Sequence, residues 1–511
     1  MYQTRNLIVV LLLLLTVSGC VSMPLDHPKT PTTALTDTAD TYLARESATW
    51  RDGQLQGNGF YSLSKGKDAF GARLVLMKRA ERSIDVQYFL MKPDNAGLVF
   101  TEKLMEAADR GVRVRLLLDD IFTTVDDGYF SFMNAHPNIE VRIFNPISRK
   151  GLYLFNYIGH FSLTNRRMHN KSFIVDNQAA IVGGRNIAVE YFQLETTGEF
   201  IDFDMFATGP IVRDISDSFD TYWNNELAVP MEAISGKPDQ QLLEQDKKTV
   251  KMLMEKAGDS IYADAINSPL MRQFSADELD PYMAEARMIV DDPSKLTAEI
   301  SDEHQIVATE IAQVLSEAKQ EIILLTPYFI PGKSGIEFIK GLRDKGVKIV
   351  LLTNSLASNN HTAVHSAYSS YRKDLLKAGV ELWEARANAS VITVESDSTT
   401  LTEPLTLHTK GILIDRRQVF VGSLNLDPRS IDINTEMGLL IESEQLVSGM
   451  TDNVLAHIPM IAYRLQLDDS GNISWHANID GHDVVETTEP LTDWWRRFSA
   501  WFLKIVPEQQ L

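Results

Sequence analysis

Two short segments of this chain repeat one another in the residues that could do chemistry. The first holds His169 and Lys171, with Asp176 seven positions after the histidine; the second holds His408, Lys410 and Asp415 at the same offsets. Downstream, Gly183-Gly184-Arg185-Asn186 and Gly422-Ser423-Leu424-Asn425 place an asparagine seventeen positions after each histidine. Residues two apart on a strand share a face, so each histidine and its lysine point the same way. One such match is weak; two at matching points of a repeat are strong.

A doubled set of His, Lys and Asn fits one phosphodiester on a pseudo-twofold axis. One imidazole attacks phosphorus and becomes a phosphohistidine, while the other protonates the departing alcohol and later activates the incoming one. Lys171, Lys410, Asn186 and Asn425, with Ser423 and the close backbone approach allowed at Gly184, are expected to hold the non-bridging oxygens. This chemistry needs no metal or other cofactor, and the sequence offers no carboxylate cluster to bind a metal. Each imidazole needs an orienting carboxylate. Glu436 lies 28 positions after His408, and the expected counterpart is Asp204, displaced by an insertion around Tyr191 to Phe200. Asp176 and Asp415 admit two readings: members of the catalytic set, or caps of the turns Asp176-Asn177-Gln178 and Asp415-Arg416-Arg417.

The elements that position these groups also repeat. Arg82 to Phe89, a helical pattern, then Arg110 to Leu117 is matched by Gln320 to Phe329, a helical pattern, then Lys345 to Leu352. In the second copy a helix over Gly335 to Lys345 gathers Ile336, Phe338, Ile339 and Leu342 mostly on one face, and Gly346 stops it. Strand, helix and strand in about thirty residues is a crossover unit on a parallel sheet. The expected fold is α/β: two tandem domains, over 51–230 and 304–490, with mixed sheets flanked by helices and a pseudo-twofold relation. Residues 231–303 read as a helical insertion at the junction.

The chain has 511 residues, 49 Lys plus Arg against 69 Asp plus Glu, a formal charge of −20 and one cysteine. That acidity disfavours nucleic acid as a partner, and one cysteine excludes an internal disulfide framework. Arg5, the apolar run Leu7 to Val17 and Val17-Ser18-Gly19-Cys20 read as an export signal over 1–20. The run is too short to span a bilayer. Residues 21–50, rich in Thr, Pro and Asp, read as a flexible tether.

The carboxyl end, 491–511, reads as an amphipathic helix, with Trp494, Trp495, Phe498, Trp501, Phe502 and Ile505 on one face and Arg496, Arg497 and Lys504 elsewhere. Two readings stand: a helix lying in the lipid headgroup layer, or a helix docked on the body. His361 and His365 are four apart, a spacing that can bind metal, but with no Glu beside them a pocket or surface role is preferred. Tyr88 and Tyr328 either flank the phosphate or pack in the core.

The paired His-x-Lys motifs with Gly-Gly-x-Asn and Gly-Ser-x-Asn resemble the phospholipase D superfamily. Leu163-Thr164-Asn165-Arg166-Arg167-Met168-His169, Leu352-Thr353-Asn354-Ser355-Leu356-Ala357 and Asn425-Leu426-Asp427-Pro428-Arg429-Ser430 are similar to its bacterial cardiolipin synthase C type. The resemblance implies transfer of a phosphatidyl group onto phosphatidylglycerol, with phosphatidylethanolamine or phosphatidylglycerol as donor. A hydrolysing phospholipase D and a nuclease of the same fold are the alternatives. Val17 to Cys20 resembles a lipobox, which implies a lipid on Cys20. The partners expected are phospholipids and a membrane surface, and the location expected is the periplasmic side of the inner or outer membrane.

Overall fold

The computed structural model describes residues 25, 27–51, 57–121, 127–149, 164–194, 200–236, 244, 248–253, 263, 265–276, 278–389 and 405–508. Cys20 and the segment before it lie outside the described residues.

The first half is built on strands β1 (Asn58–Leu63), β2 (Ser83–Tyr88), β3 (Arg113–Asp119), β4 (Ile139–Phe144), β5 (Ser172–Val175), β6 (Ala179–Gly183), β7 (Phe200–Ile201), β8 (Asp204–Thr208) and β9 (Ala228–Pro230). Its sheet runs β9-β4-β3-β2-β5-β6-β8-β1, with β2, β3 and β4 parallel and the remaining pairs antiparallel. The parallel strands are buried on both faces: Ile84, Val86 and Tyr88 of β2 join the apolar core on one side, while on the other Asp85 pairs with Arg115 of β3 at 2.6 Å and Arg115 with Asp220 of the helix Ile211–Asn224 at 2.7 Å.

The second half follows with β10 (Tyr282–Val290), β11 (Glu321–Leu325), β12 (Lys348–Asn354), β13 (Glu381–Ala385), β14 (Thr406–Leu407), β15 (Gly411–Ile414), β16 (Gln418–Gly422), β17 (Met437–Glu442), β18 (Ala462–Leu467), β19 (Ile473–Ile479) and β20 (His482–Glu486). Its order, β18-β13-β12-β11-β15-β16-β17-β10, repeats the first sheet strand for strand, and β19 and β20 extend its edge. Leu117, Ile174, Val182 and Met205 of the first half and Leu413, Val421, Met437 and Leu439 of the second belong to one apolar core, which welds the halves together.

Three expectations change. The helical insertion over 231–303 contains a strand: Tyr282 to Ala284 of β10 pair with β1, and Glu285 to Val290 pair with β17, so this segment stitches the two sheets. Its alternation is visible afterwards, with Glu285 and Arg287 exposed between the half-buried Ala284, Ala286 and Met288.

The tether read over 21–50 is held to the body where it is described. Arg142 donates to Thr30 O, Arg115 to Thr32 O, and Trp223 Nε1 to Thr32 Oγ1. Thr41 then caps the helix Tyr42–Trp50. A segment poor in apolar residues is ordered here because its carbonyls and hydroxyls satisfy buried donors. The helix predicted over Gly335 to Lys345 spans Gly332–Asp344.

Candidate active site

Both histidines sit where a short strand begins, at the carboxyl end of the parallel strands. Register pairs Gln87 with Ser172 and Leu325 with Gly411, which places His169 to Lys171 and His408 to Lys410 beyond the ends of β2 and β11. The halves then reach across to each other. His169 N donates to Thr435 O, and the N–H groups of His408 and Thr409 donate to Ile201 O.

The carboxylates cross over as well. His169 Nδ1 lies 2.9 Å from Glu436 Oε2, and His408 Nδ1 lies 2.6 Å from Asp202 Oδ2. A carboxylate only accepts, so each Nδ1 carries the proton and each Nε2 is left with its lone pair, which in His408 faces Lys410 Nζ at 3.0 Å. Glu436 does face an imidazole, but that of His169 in the opposite half and not that of His408, from which its offset was counted; Asp204 is not the orienting residue. Asp204 is buried between two guanidiniums, 2.9 Å from Arg73 and 3.4 Å from Arg185. The sheet register explains the shift. Gly422 pairs with Gly438, two positions after Glu436, while Gly183 pairs with Asp204, two positions after Asp202. Asp202 is therefore the structural equivalent of Glu436.

Burial drives His169 down to about 4 despite Glu436, with Lys171 and Lys410 adding to the fall. Burial likewise takes His408 down to about 3, reinforced by Lys410 and by Lys171 from the other half. Each imidazole thus feels the lysine of the opposite half, the mark of one shared site. Against burial, which alone would raise them, the imidazole and lysine partners hold Asp202 and Glu436 below the ordinary carboxylate range. Lys410 is brought down to about 8 and Lys171 well below its usual value, both chiefly by burial. A bound dianion such as vanadate would stabilise the imidazolium forms. Two histidine resonances are therefore expected to titrate below pH 5 in the free protein and to move upward when vanadate is added, as read by nuclear magnetic resonance.

The lysines donate to the carbonyl oxygens of their own histidines, Lys171 to His169 O and Lys410 to His408 O. Asn186 Nδ2 lies 2.9 Å from Tyr191 OH, and the Oδ1 atoms of Asn186 and Asn425 are buried with no partner among the described residues. The Tyr191 hydroxyl can donate or accept, so turning the Asn186 amide presents its NH2 to the site at no loss. Ser423 does something other than the expected phosphate contact: its hydroxyl donates to Glu436 and bears on His169 through that carboxylate. Gly184 is also explained differently. A Cβ there would stand 2.2 Å from Asp202 Oδ1, so the glycine makes room for the carboxylate that holds His408.

Asp176 and Asp415 are not part of the catalytic group. Asp176 accepts from the N–H groups of Glu81, Arg82 and Ser83, and Asp415 from those of Lys319, Gln320 and Glu321, which lead into and begin β2 and β11 and so lie at the far ends of the sheets. Both have positive φ, 51° and 52°, in the turns where the alternative reading placed them. Asp176→Ala and Asp415→Ala should each cost about 2 to 3 kcal/mol of stability, seen in denaturant titration, while the folded fraction keeps its turnover.

Other groups escaped the sequence reading. Asp119, at the end of β3, accepts from Met168 N at 2.9 Å, and Asn354, at the matching end of β12, bonds both N–H and C=O of Leu407 at 2.8 Å. Each grips the backbone one residue before a histidine. Phe89 meets His169 edge-on, while Tyr191 and Phe200 pack against His408. Tyr88 is core: its hydroxyl accepts from Arg73 at 2.9 Å. Tyr328 lies beside His361 and donates to Asn360. His365 is buried against Arg372 at 3.0 Å, so the His361/His365 spacing builds no shared metal site.

The chain matches the family described as "Cardiolipin synthase, PLD-like domain" over residues 74–223 and 311–457. It is 36% identical over 454 residues to cardiolipin synthase C of Escherichia coli (strain K12), a match covering 89% of this chain and 96% of that protein. It is 31% identical over 466 residues to an uncharacterized protein of Helicobacter pylori (strain ATCC 700392 / 26695), covering 88% of each. The crystal structure of phosphatidylserine synthase from Haemophilus influenzae Rd KW20 has a similar fold, with a TM-score of 0.54 at 12% identity, covering 82% of this chain and 92% of that one.

Proposed function

We propose, from the premise that the chain belongs to the cardiolipin synthase family of phospholipase D-like proteins, that it transfers a phosphatidyl group onto a hydroxyl of phosphatidylglycerol to make cardiolipin. The donor is phosphatidylethanolamine or a second phosphatidylglycerol. The observation that supports this most is the crossed pairing, in which two buried, neutral imidazoles each depend on the other half's carboxylate.

In the first step, Nε2 of one histidine attacks phosphorus and the bond to the headgroup oxygen breaks. The opposite imidazole, protonated in the substrate complex, gives its proton to that oxygen. In the second step the now neutral imidazole takes the proton of the acceptor hydroxyl. The resulting oxygen displaces the first histidine from phosphorus. Lys171, Lys410, Asn186 and Asn425 hold the non-bridging oxygens, where charge builds in both transition states. Glu436 and Asp202 fix the tautomer and steady each imidazolium as it forms.

Cys20 is the point at which we place a lipid, anchoring the protein on the periplasmic side of a bacterial membrane. Fatty-acid labelling should mark the wild-type chain and miss Cys20→Ser; a labelled mutant refutes the anchor. For the activity, purified protein is incubated with phosphatidylglycerol, with and without phosphatidylethanolamine, and the lipids are separated. Cardiolipin is the expected product. Phosphatidic acid without cardiolipin would make the protein a hydrolase.

A further inference from the structure

The helix Trp494–Phe502 is docked by its small and polar positions and leaves its aromatic ones outside. Ala500 is buried and its carbonyl accepts from the Ser366 hydroxyl; Arg496 donates to Asn359 O at 2.8 Å, and Tyr371 donates to Glu508 at 2.6 Å. The segment leading into the helix is tied down by Glu489, which pairs with Arg372. Trp494, Trp495 and Trp501 are 66%, 64% and 65% exposed, and Ile505 is 72% exposed. Phe498 stacks on Trp494 at 5.3 Å, so these side chains form one continuous apolar surface. The helix thus docks on the body, as one of the two sequence readings had it, and the docking leaves its apolar face open.

Its position gives that face a meaning. Asn359 follows β12, whose last residue, Asn354, holds the Leu407 peptide beside His408. The helix therefore lies at the catalytic end of the second half. The amino-terminal segment can be placed by the same logic. Leu35 O accepts from Asn177, and Thr38 pairs with Gln178, in the turn at the far end of β2. Moving toward the amino terminus, Thr32 meets Arg115 and Thr30 meets Arg142. Lys29 then donates to Ala228 O, and Ala228 pairs with Phe144, the last residue of β4. Toward residue 25 the chain thus leaves the first half at the catalytic end. Cys20 is nine residues upstream of Lys29, within about 30 Å of contour.

We infer that the catalytic end of the molecule is its bilayer face, with the aromatic surface of Trp494–Phe502 seated in the lipid headgroup region on one side and the amino-terminal anchor on the other. The partner is an anionic phospholipid surface. Trp and Phe rings suit the interfacial layer, and Arg497 and Lys504 on the same turns favour anionic headgroups although the whole chain carries −20. No described helix is long and apolar enough to cross a membrane. An interfacial helix beside the mouth spares a phospholipid a complete exit into water. This inference rests on the reading of the protein as a lipid-acting enzyme.

The test uses full-length Cys20→Ser protein, free of cysteine, with vesicles of phosphatidylethanolamine and phosphatidylglycerol at three to one. Trp494→Ala/Trp501→Ala/Phe502→Ala, all at exposed positions, should lower vesicle flotation at least tenfold. It should lower turnover on vesicles similarly, yet leave turnover of dispersed short-chain lipid unchanged. In the same background, a polarity-sensitive dye on Asn360→Cys should shift to the blue on vesicles, and one on Lys319→Cys at the far end should not. Unchanged flotation of the triple variant, or a shift at both dye positions or at the far end alone, overturns the inference. Flotation and dye response do not depend on chemistry, so an inactive protein that still binds as described refutes the enzymatic reading and leaves the bilayer face standing.

Discussion

Replacing either His169 or His408 by alanine is expected to lower turnover by about ten-thousandfold or more, with little effect on folding. The two imidazoles are not interchangeable copies: one must form the bond to phosphorus and the other must carry the proton. Loss of the first removes the nucleophile. Loss of the second leaves an alkoxide to depart unprotonated and an acceptor hydroxyl unactivated. Both side chains line a preformed site and neither is a large core group, so the variants should keep the wild-type melting transition. The double variant should be scarcely worse than either single one, because residues that act as a unit lose their effect together. Turnover surviving in one single variant at more than about a hundredth of the wild-type rate would mean that one histidine suffices.

Glu436→Gln and Asp202→Asn are expected to cost about a thousandfold to ten-thousandfold in turnover. An amide turned toward Nδ1 as a donor forces the proton onto Nε2, the atom that must attack or accept. It also withdraws the negative charge that steadies the imidazolium. The crossed geometry adds a consequence: each substitution disables the histidine of the opposite half, so Glu436→Gln acts on His169 and Asp202→Asn on His408. In Glu436→Gln the resonance of His169 should titrate lower still, with that of His408 little changed; Asp202→Asn should give the converse. If instead Glu436→Gln disturbed His408, the pairing would run within each half.

Much of this site was legible in the sequence because it is written twice. The offsets of seven and seventeen identified the histidines, lysines and asparagines, and the strand-helix-strand repeats identified the parallel core. What failed depended on registration between distant strands. Asp202 and Asp204 are both acidic, and only the pairing of Gly183 with Asp204 shows which one is the equivalent of Glu436. The insertion before Phe200 blurs the linear offset that worked in the second half. Gly184 and Ser423 looked like phosphate contacts because a ligand approach and a neighbouring carboxylate demand the same small residues. The amino-terminal segment was misread because its order comes from its own backbone atoms meeting buried Arg115 and Arg142, a debt owed by residues about a hundred positions away.

The most direct test of the two-step transfer is the configuration at phosphorus. A phospholipid made chiral there by one sulfur and one oxygen as its non-bridging atoms is supplied as donor, and the product's configuration is assigned. Attack by a histidine followed by attack of the acceptor inverts phosphorus twice, so the account predicts overall retention. Overall inversion would mean a single direct displacement, with no phosphohistidine on the path, and would contradict it.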